Sequence, residues 1–197
     1  MSNSRRREVL RQFAVHTLAR LRVTLGFLSG GFVLALAHPT ARSLAIGLSI
    51  AALGEAVRIL AAGHLNKARE VTMSGPYQWV SHPLYVGSTV MGIGLAIACA
   101  DIVAALLIGI YLVTTLTAAI KSEEAYLRRT FGEQYDLYRE GQLARRAAIA
   151  RQPPKNFSVA QAIANREHRA LLGFALAVLL LVLKATYNGV FWRAAGT

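Results

Sequence analysis

From Leu84 to Ile120 the chain carries one charge, Asp101. A single helix of that stretch, rising 1.5 Å per residue, would be roughly 55 Å long, against a bilayer hydrocarbon core of ~30 Å. The segment must therefore fold back on itself, and the only polar break lies at Ala100-Asp101. The sequence predicts a helical hairpin in lipid, two spans joined near Asp101. Alternating apolar and polar residues, the mark of a membrane barrel, do not occur.

Three further apolar segments fit the same class, at about Leu21–Ala37, Ser43–Ala62 and Ala170–Tyr187. With 54% hydrophobic residues and a formal charge of +12, the chain reads as an integral membrane protein with basic loops, not as a soluble domain. The expected fold is all-α, a polytopic membrane helix bundle of about five transmembrane helices with a cytoplasmic interfacial helix. The basic N-terminus lacks the apolar core and cleavage site of a signal peptide. The single cysteine, Cys99, excludes a disulfide framework, and no metal site is expected. The positive residues cluster beside apolar segments, which favours anionic lipid headgroups as partners and argues against nucleic acid.

Placing the N-terminus in the cytosol puts 19 of the 22 Lys and Arg on the cytoplasmic side; Arg42, Lys184 and Arg193 remain. The chain then divides as one membrane domain: a basic N-terminus over residues 1–20, two spans over 21–62, a central unit over 63–141, a basic linker over 142–169, and a last span and tail over 170–197. Lys121–Arg139 has a helical pattern with Gly132 marking a bend, and Pro153-Pro154 ends any helix in the linker.

The central unit carries the polar chemistry. Gly75-Pro76-Tyr77 precedes Ser81-His82-Pro83-Leu84-Tyr85-Val86-Gly87, which leads into the hairpin; Gly92-Ile93-Gly94 lies in its first arm and Glu123-Glu124 follows its second. Both ends of the hairpin thus come to one membrane face. Glu123 and Glu124 offer acceptors for cationic and hydroxyl groups. His82 and the first-turn amides near Pro83 offer donors. Gly92 and Gly94 allow close approach by a ligand or a second helix.

In order and spacing, Gly75-Pro76-Tyr77, His82-Pro83, Tyr85, Gly87, Gly92 and Gly94, Glu123-Glu124, then Phe131-Gly132-Glu133-Gln134-Tyr135 and Tyr138, resemble the isoprenylcysteine carboxyl methyltransferase and phospholipid methyltransferase family. The resemblance covers roughly residues 55–140. It implies S-adenosyl-L-methionine as methyl donor, bound by Tyr77, His82, Pro83, Leu84, Tyr85, Gly87, Gly92, Gly94, Glu123 and Glu124. A lipophilic acceptor would enter from the bilayer. The family's Arg-His-Pro-x-Tyr-x-Gly pattern is broken at its first position, where Ser81 replaces arginine. Methyl transfer is an in-line displacement, so positioning and water exclusion supply most of the catalysis. A carboxylate acceptor needs no base; an amine acceptor does, and His82 or a glutamate is the candidate.

Each feature also has a plainer reading. His82-Pro83 could cap a span with Tyr85 as an interfacial anchor, Gly92 and Gly94 could pack helices, and Glu124 could pair with Arg128. Glu55 and Arg58 sit three apart within a span, where an ionisable group costs about 2.5–3.5 kcal/mol, so they pair with each other or Arg58 binds an acidic group of substrate or cofactor. His82, Glu123 and Arg58 are thus the catalytic candidates. The alternatives to an O-methyltransferase acting on isoprenylcysteine are a lipid amine N-methyltransferase, an NADPH-dependent membrane reductase such as the sterol-type reductases that resemble this family, and a non-catalytic scaffold.

Overall fold

The computed structural model describes residues 26–66, 72, 74–132, 135 and 156–190, and those segments are helical wherever they are regular. We label the α-helices α1 (Gly26–Leu36), α2 (Ala41–His64), α3 (Pro83–Cys99), α4 (Ile102–Phe131), α5 (Val159–Ala164) and α6 (Glu167–Tyr187). A 3₁₀ turn, Gly75–Gln78, precedes α3. α2, α4 and α6 are long and apolar enough to cross a membrane; α1 and α3 are apolar but shorter.

Local chemistry fixes the ends. Thr40 opens α2 with a capping box: its hydroxyl accepts from the Ser43 amide at 3.0 Å, and the Ser43 hydroxyl accepts from the Thr40 amide at 2.9 Å. Pro83 begins α3, where its missing N–H costs nothing. α3 ends with Ala100 in the left-handed region (φ 49°), and Asp101 caps α4 by accepting from the Ala104 amide at 2.8 Å. The hairpin turn therefore falls at Ala100-Asp101, where the charge pattern predicts it. α4 runs unbroken through the apolar segment and Lys121 to Phe131, so as far as Gly132 the helical pattern after Lys121 is continuous with the second arm of the hairpin. Gly132, at φ 48°, ends it. Residues 21–25, 133–134, 136–155 and 191–197 lie outside the described residues, and with them the start of the first span, Pro153-Pro154 and Tyr138.

α2 is the hub. It lies antiparallel to α3 along a seam of small residues. A Cβ on Gly47 would sit 2.5 Å from the Ala98 nitrogen and the Gly94 oxygen, and one on Gly54 would sit 2.3 Å from the Met91 nitrogen. Gly47 and Gly54 are seven residues apart, as are Gly87 and Gly94, so each pair keeps one helix face. Without a hydrophobic force between helices in lipid, such close backbone approach is what holds them.

At one end of the bundle Ala37, Leu44, Ala98, Cys99, Ala104, Leu181 and Ala185 form the buried core, drawing together the ends of α1, α3 and α6 and the starts of α2 and α4. Lys184 donates to the Ala35 carbonyl at 3.1 Å, meeting the negative end of α1. At the other end α5 docks on the terminus of α2. Asn165 Nδ2 donates to the Ala62 and Leu65 carbonyls at 2.8 and 2.7 Å, Gln161 Nε2 donates to Leu65 at 2.8 Å, and the Ser158 amide donates to Gly63 at 3.1 Å. The carbonyls that a helix end leaves open are thereby paired. The last part of the expected linker is thus a docked helical element, and α6 begins three residues before the predicted span, at Glu167.

Candidate active site

The second end of the bundle gathers the C-termini of α2 and α4, the 3₁₀ turn and the N-terminus of α3. His82 is the N-cap residue of α3, with its backbone outside the helix (φ −133°, ψ 63°) and its carbonyl accepting from the Tyr85 and Val86 amides at 3.0 and 3.1 Å. The antiparallel hairpin brings α4 alongside. His82 Nδ1 lies 3.8 Å from Glu123 Oε2, and Nε2 lies 3.5 Å from Glu124 Oε1. Adjacent positions on a helix point about 100° apart, yet the imidazole reaches both because it stands between them. Both separations exceed a direct hydrogen bond, so these are electrostatic contacts.

The side chain of His82 is 17% exposed, that of Glu123 35% and that of Glu124 23%. The cluster is therefore sheltered but reachable. The Tyr85 ring lies 5.6 Å from that of His82, tilted by 39°. Tyr77 is buried in the 3₁₀ turn, and Pro83 is buried beneath His82. The turn is held from below: Gly75, at φ 57°, lies so close to the His64 ring that a Cβ would meet it at 2.6 Å, and the Phe157 ring lies 6.1 Å from that of His64, tilted by 53°.

The expected glycines take different positions. A Cβ on Gly87 would meet the Arg58 side chain and the Gly54 oxygen at 2.7 Å, one on Gly94 would meet the Ala51 nitrogen at 2.3 Å, and one on Gly92 would meet Leu112 at 2.2 Å. Helix packing, the plainer reading of these residues, accounts for their lack of a side chain. Leu84 lies half-buried in the first turn of α3.

Arg58 does not join the His82 cluster through any described contact. Its Nε lies 3.3 Å from Glu55 Oε2, its Nη2 lies 2.8 Å from Glu167 Oε1, and its Nη1 donates to the Ser88 hydroxyl. The pairing with Glu55 follows from their three-residue spacing. Glu167 and Ser88 carry no sequence signal for it, because they come from α6 and α3. Arg58 thereby ties three helices together, with Glu55 3% and Glu167 7% exposed. Removing one partner from such a buried group leaves a charge uncompensated.

The donor set suits S-adenosyl-L-methionine. Its sulfonium and ammonium call for carboxylates, which Glu123 and Glu124 could provide, and its adenine calls for aromatic neighbours, which Tyr85 and Tyr77 could be. Among the described residues no group of His, Cys, Asp or Glu is arranged to hold a metal ion.

Comparisons with known proteins find relatives of this chain. Over 87 residues the chain is 32% identical to the protein-S-isoprenylcysteine O-methyltransferase of Schizosaccharomyces pombe, a match covering 44% of this chain and 37% of that relative. The chain therefore matches little more than a third of the relative's length. No solved structure matches. The family model for phospholipid methyltransferase matches residues 31–134, from α1 through the α3–α4 hairpin to just past Gly132, and includes His82, Glu123 and Glu124. That span is more than half of the sequence, and the chain belongs to the phospholipid methyltransferase family.

Proposed function

We propose that the chain is an integral membrane methyltransferase that moves a methyl group from S-adenosyl-L-methionine to the carboxylate of an isoprenylcysteine-type acceptor. The observation that carries this reading is His82 held between Glu123 and Glu124 at the end of an apolar hairpin. The site faces the cytosol: Arg128, Arg129, Arg166 and Arg169 stand at its end of the bundle, against Arg42 and Lys184 at the other. The water-soluble donor then arrives from the cytosol and the acceptor sideways from lipid, and all five apolar helices cross the bilayer.

When bound, S-adenosyl-L-methionine supplies an activated methyl group. The carboxylates of Glu123 and Glu124 hold the cationic end of the donor, and Tyr77 and Tyr85 flank its base. His82, between the carboxylates, orients them and excludes water from the line of attack. An acceptor carboxylate loses no proton, so no residue acts as a base, and alignment of the two reactants accounts for the rate. Arg58, held by Glu55 and Glu167, fixes the start of α3 and hence His82. The S. pombe relative's name favours this acceptor. The family's own name favours a second, a phospholipid amine, for which His82 would take the proton.

The test is calorimetric titration of the detergent-purified protein with S-adenosylmethionine, S-adenosylhomocysteine and NADPH, followed by transfer of labelled methyl to prenylcysteine and to aminophospholipid. Micromolar binding of the first two ligands, abolished in Glu123→Ala/Glu124→Ala with folding retained, is the expected result. NADPH binding alone would move the assignment to a reductase, and no binding at all to a scaffold.

A further inference from the structure

Glu167 opens the last span yet is buried, 7% exposed, where a first-turn glutamate would ordinarily stand in solvent. Two features turn it inward. α5 is pinned to the end of α2 by Gln161 and Asn165, and Arg166, between α5 and α6, takes the left-handed conformation at φ 63°. A residue other than glycine is strained there, and such strain persists only where the surroundings enforce it. The reversal of the chain at Arg166 thus fixes where Glu167 stands.

Its carboxylate faces Arg58. Nη2 lies 2.8 Å from Glu167 Oε1, whereas Nε lies 3.3 Å from Glu55 Oε2, so the contact from α6 is the tighter of the two. The guanidinium is a rigid plane, and holding Nη2 also sets the direction of Nη1. Nη1 donates to the Ser88 hydroxyl, which in turn gives its single proton to the Leu84 carbonyl at 2.9 Å. Leu84 lies in the first turn of α3, two residues past His82, whose own carbonyl accepts from the Tyr85 and Val86 amides. Gly87 lets the stem of Arg58 lie against this turn, since a Cβ there would stand 2.7 Å from Arg58 Cγ. A line of contacts therefore runs from α6 through α2 to the residue that stands between Glu123 and Glu124.

We infer that Glu167 is a positioning residue for the methyl-transfer site: it holds the Arg58 guanidinium in the orientation that fixes the first turn of α3 and so sets His82 against the two glutamates. The inference rests on the methyl-transfer reading above. Glu55 cannot take over the task, because it lies on the same helix as Arg58 and moves with it. The last span lies outside residues 31–134, which the family model matches, and through Glu167 it becomes part of the catalytic unit.

Separating position from stability tests it. The parent protein, Glu167→Gln, Glu167→Asp and Glu55→Gln/Arg58→Met/Glu167→Gln are compared in detergent. Tm, S-adenosylmethionine affinity, methyl transfer to S-farnesylcysteine and ring-nitrogen NMR shifts of histidine-labelled protein are measured, with His82 assigned by His82→Asn. Misplacement by about 1 Å costs roughly a hundredfold in rate, so Glu167→Gln should lower kcat about tenfold to a hundredfold and displace the His82 signal. KM and S-adenosylmethionine affinity stay within about threefold, because the residues that hold the reactants are untouched. Glu167→Asp, which keeps the charge but draws it one methylene away from Arg58, falls between. The triple variant regains Tm without regaining kcat, and Gly47→Ala, which lowers Tm far from Arg58, keeps kcat per folded molecule within about twofold. A kcat that returns together with Tm in the triple variant, or a His82 signal unmoved by Glu167→Gln, overturns the inference. Displacement of that signal in a protein whose parent transfers no methyl group would retain the contact line and overturn the methyl-transfer reading. Methyl transfer by the parent, with kcat untouched by Glu167→Gln, would do the reverse.

Discussion

Gly47→Ala adds one methyl to a buried position of α2 that has no place in the proposed chemistry. The added carbon would stand 2.5 Å from the Ala98 nitrogen and the Gly94 oxygen and 2.8 Å from the Ala98 Cα, whereas ordinary contact begins at 3.4 Å. All three atoms are backbone of α3, so no rotamer change relieves the overlap, and the helices must part by about 1 Å, the difference between 3.4 and 2.5 Å. A gap of 0.5–1 Å forfeits roughly a quarter to a half of the dispersion energy of each contact it opens. Overpacking of this kind costs about 1–3 kcal/mol, and the rigidity of backbone places Gly47→Ala at the upper end. At this chain length each kcal/mol corresponds to roughly 2–4 °C in Tm, so a fall of about 6–12 °C is expected in detergent. The assay is thermal unfolding followed by size-exclusion recovery, with Gly109→Ala as the control. Gly109 is also in a membrane helix but has open space around it, so its substitution should hold or slightly raise Tm through helix propensity. Equal Tm for Gly47→Ala and the parent protein would refute close backbone packing at the α2–α3 seam.

Three further substitutions probe the other fixed points. Arg58→Met leaves Glu55 and Glu167 buried without a counter-charge and should cost about 3–5 kcal/mol, seen as loss of monodisperse protein; Glu55→Gln/Arg58→Met/Glu167→Gln should recover most of it. Asn165→Ala removes two donors from the end of α2 and should lower stability by about 1–3 kcal/mol, with faster amide exchange confined to residues near Leu65. Asp101→Ala removes the α4 cap and should cost about 1 kcal/mol in thermal unfolding, with S-adenosylmethionine affinity unchanged because the turn lies at the opposite end of the bundle.

What could be read in the sequence divides by range. The hairpin was legible because hydrophobic length is a local property: one charge in the stretch Leu84–Ile120 admits one turn, and Asp101 is an N-cap residue by chemistry. The meeting of His82 with Glu123 and Glu124 followed from that turn and from the motif order. Glu55 and Arg58 were visible as a pair on one helical turn, but Glu167 and Ser88 were not. Nothing in the sequence near Glu167 distinguishes it from a solvated first-turn glutamate. The role of the glycines was visible only in outline. Seven-residue spacings in both α2 and α3 were present, yet one helix alone does not say whether its glycine admits a cofactor or a neighbour. The boundary of the last span was drawn late because Glu167, His168 and Arg169 look like linker until Arg58 is seen to neutralise the first of them.

The clamp that Ser158, Gln161 and Asn165 place on the end of α2 has a consequence for how the chain is made. Its hydrogen bonds join residues about a hundred apart, with sequence separations of 96, 100 and 103 for the side-chain bonds. At about 5–20 residues per second, the ribosome supplies those donors roughly 5–20 s after α2 has been synthesised. Through that interval the carbonyls of Ala62, Gly63 and Leu65 lack these partners, and the end of α2 stays without its clamp. The clamp closes only when α5 emerges, after Arg58 and His64 have been able to meet α3 and the 3₁₀ turn. The order of synthesis thus makes the C-terminal segment the closing step of assembly, and a nascent chain halted before Ser158 would carry every residue of the His82 cluster on an unfinished scaffold.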